Sequence, residues 1–285
     1  MYASGGSTEF GSLCVCVAEI DAAIRAPAPI LAILSRTLTH AQKPHGCAPV
    51  RTTIDVTNDD SVWRIDGTSQ HSHKILSTTS ALPQVCGAVV ASLIADVAEV
   101  ALLHACRAAA VERNGRAVAL LGDDWESCIV LAAHLHARGW RLLGGDYVLI
   151  DPKTLTVHAT RKSLYATLSI MDDLPNPYRR AIEASPWYST SRDIAFYAVD
   201  PTLVLPASAW AERGRLSAVL IVDGDVAEFP SLERTPSRAI SKGISGKDLE
   251  QAGVAVAGVK LGDCIATCDL LEHWLQALFG DRNSS

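Results

Sequence analysis

The sequence predicts a mixed α/β chain of the α+β kind, with a mixed-sheet core built around a strand–turn–helix unit and a small antiparallel sheet ahead of it. Three observations carry that expectation. Two apolar runs flank Asn114-Gly115, and both central residues of a two-residue hairpin turn take positive φ, which asparagine and glycine tolerate best. The second run, Ala117 to Leu121, ends at Gly122 and gives way to helix-forming sequence, the order in which a phosphate-binding loop sits between strand and helix. Upstream, short alternating runs at Thr52–Thr57, Val62–Ile65 and Lys74–Ser77 are separated by turn residues, as in a strand meander.

In chain order, residues 1–12 are rich in glycine and serine and are expected to form a disordered tail. Residues 13–82 form a β-rich region: a strand over Leu13–Ala18, a short helix over Ile30–Thr39 after the break at Pro27 and Pro29, a loop over Gln42–Pro49, then the three short strands. Residues 83–285 form the core. Pro83 opens a long helix to Ala101, because its missing N–H costs nothing in a first turn, and the apolar positions that follow are dense enough to require burial. His104 lies on a strand, the hairpin and its helix run to Gly139, and an acidic turn leads to Val148-Leu149-Ile150-Asp151. Leu155–Ala159 reads as a strand, Ser163–Met171 and Tyr178–Ala184 as helices, and Ile194–Val199 and Ser217–Val222 as strands. Trp210–Gly214 reads as a turn of helix and Asp223-Gly224-Asp225 as a hairpin turn. Within the breaker-rich Pro236–Gly258 only Lys247–Ala252 reads as structured. Cys264–Phe279 is an amphipathic helix with Cys264, Cys268, Leu271, Leu275 and Leu278 on one stripe, closing at Gly280.

Composition removes several classes. With 48% hydrophobic and 20% charged residues, the 285-residue chain is a globular protein rather than a disordered one. A net charge of -6 and scattered lysines and arginines offer nothing to a nucleic-acid backbone. The longest apolar segment, Val85 to Leu103, is interrupted by Asp96 and Glu99, which argues against a membrane span, and the N-terminus lacks the pattern of a signal peptide. The expected location is cytoplasmic, where the eight cysteines stay reduced.

The order of His104 on a strand, a hairpin, a strand ending at Gly122, a helix closing on Ala137-Arg138-Gly139-Trp140, an acidic turn and Val148-Leu149-Ile150-Asp151 resembles the HPr kinase family and its shorter bacterial relatives. Those relatives are P-loop serine kinases, some of them in pathways that mature ribosomally made peptides. The likeness runs from about Trp63 to Asp151 and loosely beyond. Active members carry Gly-x-x-x-x-Gly-Lys-Ser/Thr; counted from Gly122, the second glycine falls on Ser127, the lysine on Cys128 and the hydroxyl on Ile129, and all three are missing. The family's paired aspartates fall on Gly145 and Asp146, and its histidine on His104. The resemblance thus implies a degenerate, pseudokinase-like member with no cofactor and no metal. His104 and Asp146 become vestigial catalytic candidates, and Gly122, Asp123, Asp124, Trp125, Glu126, Ser127, Cys128 and Ile129 a vestigial nucleotide loop.

Electrostatics sharpens that expectation. Asp123, Asp124 and Glu126 bring three negative charges to the place where a polyphosphate would need attraction. A helix start still favours an anion, and an aspartate can cap its free N–H groups directly, so the chain is expected to supply its own. Cys128 then reads as a small buried filler, His104 as a hydrogen-bonded strand histidine, Asp146 as a turn cap and Trp125 as partly exposed. His134 and His136 face apart on their helix, His71 and His73 sit in a solvated loop, and the pairs Cys14/Cys16 and Cys264/Cys268 lack a second pair to complete a metal site.

Three functional classes follow. The favoured one is a non-catalytic guide or chaperone that binds a precursor peptide and presents it to its modifying enzymes, the peptide adding to a sheet edge. The second is a serine kinase with an atypical nucleotide site, which the acidic loop opposes. The third is a hydrolase using His104 and Asp146, which lacks a spaced nucleophile, base and orienting group. Neither nucleic acid nor membrane is expected as a partner, and a homodimer is left open.

Overall fold

The computed structural model describes residues 10–43, 49–59, 62–77, 80–122, 124–162, 165–184, 187–189, 195–198, 209–226, 231–233, 239–241, 244–261 and 263–280. It is α+β, with two mixed sheets and six α-helices among these residues.

The N-terminal sheet runs in the order β1 (Phe10–Val17), β2 (Ile20–Pro27), β3 (Thr52–Asp59), β4 (Val62–Asp66), β5 (Lys74–Ser77). It is not purely antiparallel as expected, because β2 and β3 pair in parallel. The parallel pair needs a crossover, and α1 (Ala28–Thr37) supplies it, with proline in its first turn. Of the residues 1–12 expected as a disordered tail, Phe10 to Ser12 belong to β1, and residues 1–9 lie outside the described residues. Strand β2 has no sequence signal because the β1–β2 turn uses Ala18 and Glu19 at φ 49° and 66°, positions that usually take glycine or asparagine.

Helix α2 (Leu82–Ala101) packs its apolar faces on the N-terminal sheet, on α1 and on Leu149 of the core. It is long and apolar enough to cross a membrane by length and composition, yet a little over half of it is buried inside the protein. Asp96, in its middle, is fully buried and accepts hydrogen bonds from Thr52 Oγ1 (2.7 Å), Thr68 N (2.7 Å) and Ser69 N (2.8 Å). The charge that argued against a membrane span is thus a clasp holding the β4–β5 loop to the helix.

The core sheet has the order β6 (His104–Cys106), β10 (Val148–Ile150), β11 (Thr156–His158), β15 (Arg213–Val226), β8 (Arg116–Leu121), β7 (Ala109–Arg113), β9 (Arg141–Gly144), with β19 (Ala255–Leu261) pairing parallel to β15 and β16 (Ser231–Glu233) beyond it. The β7–β8 hairpin turns on Asn114 and Gly115, both at positive φ as expected. The buried Glu112 carboxylate holds it, accepting from Gly115 N and pairing with Arg141 at 2.6 Å. One face carries α3 (Trp125–Ala137), α4 (Asn176–Ala184) and α6 (Cys264–Gly280); α5 (Gly246–Gln251) leads into β19.

Five expectations are corrected. Tyr165–Thr167 is strand β12, followed by a 3-10 turn over Leu168–Asp173, where one helix was expected. Its partner in the small sheet is β14 (Ala195–Ala198), so tertiary pairing overrides local propensity. Asp223-Gly224-Asp225 is no hairpin turn but an irregularity inside the long β15. Trp210 forms a bridge to Leu142 rather than a helical turn, and β19 crosses the stretch judged unstructured. On α6, Cys268, Leu271 and Leu275 are buried as the stripe requires, but Leu278 is exposed.

Candidate functional site

The described residues of the suspected loop follow from how β8 meets α3. Gly122 is required by close packing: a Cβ there would lie 2.5 Å from the Val222 carbonyl oxygen on β15. That need is structural, separate from any ligand. Asp123 lies outside the described residues.

Asp124 caps α3. Its Oδ1 accepts from Glu126 N (3.1 Å) and Ser127 N (3.5 Å), and Ser127 Oγ donates to its Oδ2. The helix N-terminus, where an anion is most stabilised, therefore already holds a carboxylate of the chain itself, a cap worth about 1 kcal/mol to the helix. Glu126 adds a second negative charge in the first turn. Trp125 is partly exposed, as expected, with its other side against the core, and Ile129 is fully buried where the resemblance would place a hydroxyl.

Cys128 is buried, and burial pushes its thiol up to about 12, helped by the Asp124 carboxylate and opposed by Arg107. The thiolate is the reactive form, so this cysteine is inert at neutral pH. Under native conditions Ellman's reagent is expected to spare Cys128 while reaching the half-exposed Cys14; modification of both at similar rates would contradict the buried-filler role.

The two catalytic candidates are not brought together. On the antiparallel β6–β10 pair His104 stands opposite Ile150, whereas Asp146 meets Ala108 through Ala108 N→Asp146 O (3.1 Å). That offset of four residues is roughly 13 Å along a strand. Contrary to expectation, the His104 imidazole has no hydrogen-bond partner among the described residues.

Asp146 is not a turn cap either. It forms an ion pair with Lys162, whose side chain is only 3% exposed, against 17% for the carboxylate. The Lys162 Nζ also lies 5.8 Å from the centre of the Tyr147 ring. Burial and the Asp146 charge raise the Tyr147 phenol, and Arg107 opposes them. The turn is fixed by Gly144, whose added Cβ would collide with the Tyr147 carbonyl oxygen, and by Thr160 Oγ1 donating to that same oxygen (2.9 Å). The Arg107 charge is near enough to act on both Cys128 and Tyr147. Lys162 and Arg107 were missed by sequence reasoning: Lys162 lies 16 positions from its partner, and no local pattern links the two.

Two of the other histidines tie helices to their neighbours. His134 Nε2 meets the Asp173 carbonyl (2.7 Å), and His136 Nδ1 meets Tyr178 OH (2.8 Å), each tying α3 to the segment before or within α4. His73 pairs with Asp66 at the surface. No group of three or more histidine, cysteine or acidic side chains suited to a metal occurs among the described residues.

No family model matches the chain, and no curated protein matches it. Among solved structures it is similar to the HPr(Ser) kinase/phosphatase from Coxiella burnetii, at 12% sequence identity and a TM-score of 0.32, over 62% of this chain and 93% of that one. A likeness of that size leaves the family a resemblance only.

Proposed function

We propose that this protein is a non-catalytic, HPr kinase-like peptide-binding protein, a guide or chaperone that presents a precursor peptide to the enzymes that modify it. The observation that carries the reading is the Asp124 carboxylate seated on the free amides of α3. A nucleotide's phosphates would have to displace an anion already covalently in place, against the added charge of Glu126. The Lys162 ammonium on Asp146 supports it from the other side, because a carboxylate already neutralised by a buried cation makes a poor Mg²⁺ ligand. The hydrolase alternative is disfavoured because His104 stands opposite Ile150 while Asp146 meets Ala108, four residues further along. The peptide half of the reading rests on the resemblance to kinases that act on peptides and proteins.

The test is capture of a short precursor peptide encoded beside this gene, with and without ATP and Mg²⁺. Retention should be independent of nucleotide, and mass spectrometry should find the peptide unmodified. A phosphorylated serine on the recovered peptide would transfer the protein to the kinase class.

A further inference from the structure

At the end of the core sheet opposite the Asp124 loop, three arginines stand in a row across neighbouring strands. Arg113 of β7 is directly opposite Arg116 of β8, and Arg116 is in register with Arg215 of β15. Cross-strand partners share a face about 5 Å apart, and like charges there repel. In a chain of net charge -6 this row is not an average of composition.

Compensation is partial. Arg113 lies 3.5 Å from Glu272 and 5.8 Å over the Trp140 ring. Arg116 lies 5.0 Å over the Phe279 ring and donates to the Phe279 carbonyl (3.2 Å). Neither Arg116 nor Arg215 has a carboxylate partner among the described residues. Two clefts of about 380 and 480 Å³ open on either side of Arg116 and Phe279, the first reaching Arg113 and Trp140, the second Arg215 and Leu278. No acidic residue lines either cleft among the described residues. Leu278, the stripe position left exposed on α6, forms part of the second wall.

We infer that this row is a docking groove for an acidic, extended peptide segment, which deepens the peptide-binding reading and rests on it. Side chains at i and i+2 of an extended peptide project to one side about 7 Å apart, a span that sets two carboxylates over neighbouring guanidiniums. Guanidinium matches carboxylate in a planar, two-point geometry and stays stacked on its ring while doing so. Nucleic acid is disfavoured by the overall negative charge of the chain.

The experiment is fluorescence anisotropy with a labelled hexapeptide of alternating glutamate and leucine, and a matched probe with lysine for glutamate. The wild-type protein should bind the acidic probe, about tenfold more weakly after Arg116→Glu with Arg215→Glu. The milder Arg215→Gln, at an exposed position, should weaken it by about threefold while the circular dichroism spectrum is unchanged. Equal binding by wild type and charge-reversed protein overturns the inference, as does displacement of the probe by equimolar inorganic phosphate, which would mean an anion subsite only. Binding that is lost instead in Ile75→Asp, on edge strand β5 where Ile75 is 67% exposed, overturns this location but leaves peptide binding standing. Capture of a precursor peptide without any response to the arginine changes separates the two claims in the same way.

Discussion

Asp96→Ala is expected to destabilise the protein by about 3–5 kcal/mol, the cost of leaving several buried donors without their acceptor. The carboxylate is 0% exposed, and the hydroxyl of Thr52 and the backbone amides of Thr68 and Ser69 all point at it. The surroundings are tight, since a Cβ at Gly67 would meet both Ser72 and this carboxylate, and among the described residues only the Thr52 hydroxyl has a second partner in reach, Thr68 Oγ1 at 2.9 Å. Asparagine at this position keeps one acceptor and should lose less. Burial alone would raise this carboxyl, but the hydrogen bonds around it outweigh burial and hold it below the ordinary aspartate range. A depressed folded value contributes stability at neutral pH, and that contribution is lost as pH falls below the unfolded value of about 3.9. Urea denaturation at pH 7 measures the loss as a lower midpoint at unchanged slope. A change under about 1 kcal/mol would mean that the β4–β5 loop is held by something other than this clasp.

Lys162→Met is expected to be of similar size, about 3–5 kcal/mol, because it strands the Asp146 carboxylate in a largely buried turn. Asp146→Leu should also destabilise, by removing the carboxylate from an ammonium whose side chain is 3% exposed. The double variant Lys162→Met with Asp146→Leu should recover most of either loss, since a buried ion pair replaced by apolar groups is often neutral. The double-mutant cycle read from urea midpoints gives the coupling directly. A double variant whose loss equals the sum of the two single losses would show that the two residues act independently.

Much of the chemistry-bearing unit was legible because its signals are local. Asn114-Gly115 demands positive φ, Pro83 and Asp124 mark helix starts, and Gly139 at φ 92° marks a helix end. What escaped was set by distant partners. Strand β12 reads as helix until β14 pairs with it, and β19, built of alanine, glycine and valine, is a strand because β15 and β16 flank it. Ala18 and Glu19 turn the first hairpin without a turn residue. At the site, the acidic loop could be read from its charges, but the fates of His104 and Asp146 could not. Register alone sets His104 opposite Ile150 and Asp146 beside Ala108, four residues apart, and Lys162 reaches Asp146 from beyond β11. The Gly122 assignment changed in meaning: the residue is needed because β15 passes so close.

The central claim is that α3 is capped by the protein's own acid and therefore takes no polyphosphate. Isothermal titration of ATP with Mg²⁺ tests it most directly. The account predicts no binding heat up to millimolar nucleotide, and the same silence from Cys128→Lys, because Asp124 and Glu126 remain. A saturable micromolar binding event in the unmodified protein would contradict it.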